Sequence, residues 1–230
     1  MRYLVILLFF YLPGSLYSQE ETTAPLIPDS KYLEDQFYLG ITYNILLKRP
    51  PGVSQRSLSY GLFGGFIKDL PVNADRNIGF GIGLGYAINS YYTNLRAIET
   101  PDGIEYSIIG GETSFKRSKI ETHSLDLPVE FRWRTSNAIS HKFWRVYTGI
   151  KFSYVFSASS KFVTDSEKIK FSNDDIREFQ YGLILSMGYN TFNIHAYYSL
   201  QELFKDGVST VDGNRLGFVP FHLGIIFYIL

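Results

Sequence analysis

The sequence predicts an all-β fold, an eight-stranded antiparallel up-and-down transmembrane β-barrel of the outer-membrane type. Three observations lead there. Eight segments alternate large apolar residues with small or polar ones at a period of two, and no helical period competes with them. Charges of both signs stand on the polar parity of these runs, while the apolar parity carries none near its middle. A short apolar run heads the chain, as export across an inner membrane requires.

Composition bounds the alternatives. A chain of 230 residues makes one domain or at most two small ones, and 45% apolar with 17% aromatic residues excludes a disordered polypeptide. Lysine plus arginine number 22 against 22 acidic residues, so there is no nucleic-acid footprint. The lack of cysteine removes disulfide frameworks, thiol catalysis and cysteine zinc sites together.

Residues 1–18, MRYLVILLFFYLPGSLYS, combine a cationic Arg2, an apolar run from Leu4 to Leu12, a Pro-Gly break and small residues near Ser18. They read as a secretory signal peptide cleaved before Gln19, because the run is too short to span a bilayer and a turn follows it. Without a cysteine at the cleavage point it is not a lipoprotein signal. No later stretch is long and apolar enough for a transmembrane helix. Sec export with removal of the peptide is the expected route. Residues 19–35 are polar, acidic and proline-containing, and are expected to form a flexible periplasmic leader before a barrel over residues 36–230.

The first run sets Phe37, Leu39, Ile41, Tyr43, Ile45 and Leu47 against Gln36, Gly40, Thr42 and Asn44. A second, glycine-rich run carries Leu58, Tyr60, Leu62 and Phe66. In the third, NIGFGIGLGYAIN, Ile78 to Ile88 alternate with Gly79, Gly81, Gly83, Gly85 and Ala87. The fourth, SLDLPVEFRWR, splits into Leu125, Leu127, Val129, Phe131 and Trp133 on one face and Asp126, Pro128, Glu130, Arg132 and Arg134 on the other. The fifth runs from Trp144 to Phe156, the sixth from Glu178 to Tyr189, the seventh from Phe192 to Leu200, and the eighth from Val219 to Ile229.

A soluble barrel would turn the apolar parity inward, and a membrane barrel would turn it outward. Eight strands enclose only enough space for side chains to fill, so a wholly bulky interior would overfill it, whereas the glycines of the third run fit there. Runs of about ten residues also match a tilted strand crossing the hydrocarbon layer. Both tryptophans, Trp133 and Trp144, sit on the apolar parity at the ends of one connection, and Tyr189 and Phe192 repeat the arrangement around Asn190-Thr191. Together they read as an interfacial aromatic belt.

Connections near 99–119, 157–175 and 202–215 exceed the turns at 135–142 and 190–191, the asymmetry of outer loops over periplasmic turns. The first pair, near 48–56 and 68–77, is less clear-cut. The closing strand HLGIIFYIL places His222 and Gly224 on the inward parity and Phe227 and Ile229 on the lipid parity. It resembles the carboxy-terminal recognition strand that outer-membrane barrels present to their assembly machinery, with Ile229 where an aromatic is usual.

The inward parity then carries a charge network of Asp126, Glu130, Arg132, Arg134, Arg145, Lys151 and Glu178, with Glu130–Arg145 and Asp126–Lys151 as expected cross-strand pairs. It acts either as a structural plug or as a narrow ion or proton path. Pro128 has no barrel edge to hide on and predicts a bulge or a water-satisfied carbonyl. His195 and His222 share the inward parity, yet two histidines without a third ligand make a poor metal site, and no metal or cofactor is expected. His123 points to the face opposite Ser124 and Asp126, so no local triad forms and no enzyme is expected. Strands three and four continue past the bilayer, and Ile104, Ile108 and Ile109 between them either cap the barrel mouth or touch a partner. The projecting sheet also offers an edge for strand addition.

The signal peptide ending YSQE, the opening FYLGITYN, the glycine-alternating GFGIGLGYAIN, the hydrophobic-Pro-hydrophobic strand LDLPVEFRWR, then WRVYTGIKFSYVF and the final LGIIFYIL together resemble the PorT family of small outer-membrane β-barrel proteins of Bacteroidota. The resemblance implies residence in the outer membrane and support of type IX protein secretion, with no catalytic residues to carry over. Two functional classes follow. One is a non-enzymatic accessory or interaction subunit of an outer-membrane machine, for secretion or for outer-membrane protein assembly, with the bilayer and protein neighbours as partners. The other is a narrow channel or small-solute porin.

Overall fold

In the computed structural model, residues 35–229 are described except 56, 74, 111–113, 136–143 and 190–191. The signal peptide, all but the last residue of the leader, His141, the Asn190-Thr191 turn and Leu230 therefore lie outside the described residues.

The alternating runs become β1 (Gln36–Leu47), β2 (Tyr60–Pro71), β3 (Ile78–Tyr92), β6 (Arg117–Arg134), β7 (Trp144–Val163), β9 (Phe179–Tyr189), β10 (Phe192–Ser199) and β11 (Val219–Ile229). Each of these eight pairs antiparallel with its chain neighbours, and β11 pairs back onto β1 from Phe37 opposite Ile229 to Leu47 opposite Val219. The fold is a closed eight-stranded antiparallel barrel. Three further strands lie in the long connections: β4 (Leu95–Thr100) and β5 (Gly103–Ile108) form a hairpin, and β8 (Lys168–Ser172) adds to the outer end of β7.

Closure decides which face meets which solvent. Phe37, Leu39, Ile41, Phe80, Ile82, Leu84, Leu125, Leu127, Phe152 and Leu183 are all exposed on the outside, while Gln36, Asn44, Asp126, Glu130, Arg132 and Arg134 are buried. A water-soluble protein does not leave so continuous an apolar band uncovered, and a hydrocarbon layer covers it. The one polar side chain in the middle of this band on β7, Thr148, donates its hydroxyl to Ile184 O at 3.1 Å. One charge does stand on the lipid-facing parity, because β2 runs on to Pro71: Lys68 lies opposite Ile82 near the strand end. Its ammonium reaches Asp35 at 2.5 Å, just before β1 begins, as a cation near the boundary does by extending its stem toward the polar side.

The end of the barrel holding the start of β1 and the end of β11 has connections 72–77, 135–143 and 190–191. Connections 48–59, 93–116, 164–178 and 200–218 all lie at the other end. Short periplasmic turns and long outer loops are the rule for this architecture.

Pro128 causes no bulge. It stands in register opposite Lys151 of β7, and toward β3 the pairing lapses only between Ile82–Val129 and Gly85–Asp126 before resuming in the same register. The β3 backbone tolerates the missing N–H there, and the Pro128 ring packs inward against Gly83, where an added Cβ would lie 3.0 Å from Pro128 Cγ. The register shift lies instead at His123/Ser124, where β7 carries one extra residue, Phe156. An extra residue flips the side-chain parity beyond it. Below Phe156 the odd-numbered side chains of β7 point inward, and above it Ser160 and Phe162 do.

That flip feeds a hydrophobic cluster across the outer mouth. Leu46, Val53, Tyr91, Leu95, Tyr106, Ile120, Val155, Ile176, Leu203, Phe204, Leu216 and Phe218 are buried together, with Ile104 and Ile108 packed on them and Ile109 buried nearby. These isoleucines therefore pack into the cap of the barrel mouth, as the first of their two expectations has it. The Tyr106 hydroxyl donates to Asn173 Oδ1 and Asp175 Oδ2, both at 3.0 Å, and ties the hairpin to the β8–β9 connection. Burial first, and the Asp175 charge second, push the Tyr106 phenol above its ordinary value.

Candidate functional site

The interior is organised in layers, and glycines on β3 decide what each layer holds. An added Cβ at Gly81 would sit 2.7 Å from Arg132 Nε, one at Gly83 would sit 2.6 Å from Ile67 Cγ1, and one at Gly85 would sit 2.0 Å from Tyr38 Oη. The glycine parity is therefore not empty space; it admits large side chains from across the barrel. Tyr38, Ile67, Tyr147, Ile226 and Tyr228 form a buried inward cluster with Phe63 beside it.

The layer nearest the turn end is ionic. Asp69 accepts two bonds from Arg134, at 2.9 and 2.7 Å, and one from Arg132 Nη1 at 3.2 Å. Arg132 also donates through Nε to Glu130 at 3.1 Å and through Nη2 to Gln36 Oε1 at 3.2 Å, and its guanidinium lies 4.5 Å from the Tyr147 ring centre. Arg134 Nε donates to Arg76 O at 2.8 Å. Such forked, fully buried geometry is what makes taking arginine and carboxylate out of water tolerable.

Above it, Lys151 Nζ donates to Asp126 Oδ2 at 2.9 Å and lies 4.3 Å from the Tyr197 ring centre. Asp126 Oδ1 accepts from Ser124 Oγ at 2.8 Å. The Tyr91 hydroxyl bonds His222 Nε2 at 2.9 Å, and Ser186 Oγ bonds His195 Nδ1 at 2.8 Å. Higher still, Thr42 Oγ1 donates to Asn44 Oδ1 at 2.8 Å and Asn44 Nδ2 to Asn89 Oδ1 at 3.1 Å, directly under the apolar cap.

Of the seven expected lumen charges, Asp126, Glu130, Arg132, Arg134, Arg145 and Lys151 face inward and Glu178 does not. Glu178 sits just before β9, its side chain 58% exposed, and meets Lys205 at 3.9 Å. The sixth strand starts one residue later than its alternation suggests, so Glu178 belongs to the rim. Asp126–Lys151 forms as expected, but Glu130–Arg145 does not, because the register sets Gly149 opposite Glu130 and Arg134 opposite Arg145. The Arg145 guanidinium lies over the Tyr228 ring instead, 5.4 Å from its centre. Asp69 was hidden from sequence reading because Lys68–Asn77 reads as a turn. Its alternation with Lys68 and Leu70 is the signal that would have found it.

His195 and His222 both face inward, each bonded to a hydroxyl. No group of three possible metal ligands exists among the described residues. His123 lies outside with Tyr86, whose hydroxyl is 2.6 Å from His123 Nδ1, while Ser124 and Asp126 are inside.

The aromatic belt residues are all exposed on the outer wall near the turn end. Trp144 and Tyr189 stand in register with ring centres 5.5 Å apart, Phe192 meets Phe227 at 6.0 Å, and Trp133 lies opposite Ile78 and Val146. A second band marks the loop end, with Tyr86 and Phe156 stacked at 6.2 Å and Tyr154 against Phe179 at 5.0 Å. Trp144 and Tyr154 are separated on β7 by ten residues. At roughly 3.3 Å per residue and a tilt of about 40°, that is a band about 25 Å tall. On the terminal strand, His222 and Gly224 face the lumen side and Phe227 and Ile229 the lipid side, paired with β1 and β10.

Residues 17–205 match the family described as outer membrane protein beta-barrel domain. The chain belongs to this family. Membership of this outer-membrane barrel family agrees with the lipid-facing band, and it places the protein in the outer membrane, in contact with its bilayer. No curated protein matches the chain. Among solved structures it is similar to Ail, the attachment invasion locus protein of Yersinia pestis, at 13% identity over 85% of this chain and 97% of that one. The TM-score is 0.34, too low to carry structural detail from one barrel to the other.

Proposed function

We propose that the protein is a non-enzymatic, non-conducting barrel that serves as an accessory or interaction subunit of an outer-membrane machine. One observation carries this reading: the axis is filled in successive layers from Gln36 and Asp69 up to the Phe204 cap, so the barrel offers a rigid support rather than a path. The ion pairs act as a plug and the loops as the working surface. In this reading residues 1–18 are removed on Sec export, and the His222–Ile229 strand is what the barrel assembly machinery engages during insertion.

The resemblance to the PorT family directs the reading toward type IX secretion. Mild detergent extraction followed by identification of stoichiometric neighbours is the test, with bilayer conductance beside it. A stoichiometric outer-membrane partner and no stable conductance support the proposal. A lone monomer with large stable channels makes it a narrow porin instead. A deletion strain with a normal secretome sinks the type IX assignment, and loss of other outer-membrane barrels redirects it to their assembly.

A further inference from the structure

Beyond the outer aromatic band, β6, β7 and β8 form a sheet that projects from the barrel. Its inner face, with Ser118, Ile120, Ser160 and Phe162, is buried on the side of the cap. Its other face looks away from the protein, in line with lipid-facing Leu125 below it on β6.

On that outer face the register sets Lys119 opposite Lys161 and Lys161 opposite Lys170, three lysines in one row across three strands. In the next row Arg117 and Lys168 flank Val163. Like charges directly opposite on paired strands are destabilising. Their mutual repulsion is felt at Lys161, which slight burial and then Lys168, Arg117, Lys119 and Lys170 hold below its ordinary value. The acid on this face of β6 is Glu121, which pairs with Lys119, and at the tip Lys116 meets Asp165 at 2.6 Å. Five cations thus share a face with one carboxylate.

Lysines at a sheet edge guard against unwanted strand pairing, which accounts for Lys168 and Lys170 on β8. It does not account for Lys119 and Lys161, whose strands are paired on both sides. Beside the row, a cleft of about 540 Å³ between Ser57, Tyr60, Tyr92, Lys116, Arg117 and Ser118 adds hydroxyl and cationic donors.

We propose that this face binds the phosphate groups of glycolipids in the surrounding outer leaflet. The charge is complementary, and on β7 Lys161 stands five residues beyond Phe156 of the aromatic band, on the side to which phosphorylated headgroups extend. Bound phosphates relieve the repulsion, so the lipid completes the sheet.

The test uses the full mature chain in maltoside micelles, which carry no phosphate, with the thermal midpoint as readout. Diphosphorylated lipid A is expected to raise the native midpoint by about 3 °C or more. The same lipid stripped of phosphate is expected to leave it unchanged, and so is inorganic phosphate at equal concentration. The variant K161Q/K170Q, which leaves the Lys119–Glu121 pair intact, is expected to melt at or above the native protein in plain micelles and to lose most of the response to lipid A. A native response to both glycolipids alike, or no response, overturns the proposal. So does an undiminished response in the variant, or a variant that melts lower in plain micelles, which would make the lysines structural. An equal response to inorganic phosphate assigns the face to a soluble anion and overturns the membrane source.

Discussion

Lys151 Nζ and Asp126 Oδ2, 2.9 Å apart on neighbouring strands β7 and β6, form an ion pair inside the barrel wall, with the side chains only 14% and 4% exposed. Removing one partner leaves the other charge buried. Lys151→Met is therefore expected to cost about 3–5 kcal/mol, and adding Asp126→Asn to recover much of it. Urea unfolding from lipid vesicles measures both. Equal stability of the single and double variants would show the pair to be wet.

Asp69 holds three of the N–H groups of Arg132 and Arg134, whereas Glu130 holds one from Arg132. Asp69→Asn is expected to destabilise by about 3–5 kcal/mol and to exceed Glu130→Gln, since both guanidinium groups bond Asp69 and only Arg132 bonds Glu130. The ranking of the two urea midpoints checks this.

Gly149 of β7 stands opposite Glu130 of β6, and a Cβ there would be 2.0 Å from Val129 O and 2.9 Å from Glu130 Cα. Backbone atoms cannot swing aside as a side chain does. Gly149→Ala is expected to block formation of the compact, heat-modifiable barrel on a gel, while Gly110→Ala, with nothing within 4 Å, has no effect.

The cap has its own core, with Phe204 fully buried among Tyr106 and Phe218 at ring distances of 5.3 and 5.7 Å. Phe204→Ala is expected to cost the cap about 3–5 kcal/mol and to expose the outer loops to protease, with the strands in the bilayer still protected. Digestion of the whole barrel at the same rate would show cap and wall to be one cooperative unit.

Burial pushes the Glu121 carboxyl up, but the bonds from Lys119 and from Ser90 Oγ at 2.9 Å outweigh it and hold Glu121 below 4.5. A carboxylate depressed on folding contributes stability that is present above its unfolded value and lost as pH falls through the folded one. Acidification below about pH 4.5 is thus expected to weaken the projecting sheet. Glu121→Gln removes that part of the pH dependence in a thermal-midpoint titration, and an unchanged acid limb counts against the assignment.

Alternation made the eight strands and their two faces readable, because a period of two leaves its mark residue by residue from Phe37 to Ile229. Register left no such mark. Glu130 and Arg145 look like partners until strand pairing sets Gly149 opposite the carboxylate. The bulge at Phe156 was equally hidden, since one extra residue in a run such as FSYVFSAS changes no composition, only the face that follows. The cap was unreadable for a different reason. Leu203, Phe204 and Phe218 come from a loop with no period, and only the closed mouth brings them to Tyr91 and Tyr106. The glycines of β3 read as fitting a narrow interior, and only the closed barrel shows which side chains they make room for: Tyr38, Ile67 and Arg132.

The orientation of β7 supports every statement about wall and lumen, and the absence of native cysteine makes it directly measurable. Single nitroxide labels at Ile150, Phe152 and Tyr154 and at Lys151, Ser153 and Val155, in the bilayer-inserted chain, report collision with lipid-dissolved oxygen. High collision rates at the three even positions and low rates at the three odd ones are the expected result. The reverse order, or no alternation, would place the bulky residues inside and contradict the barrel described above.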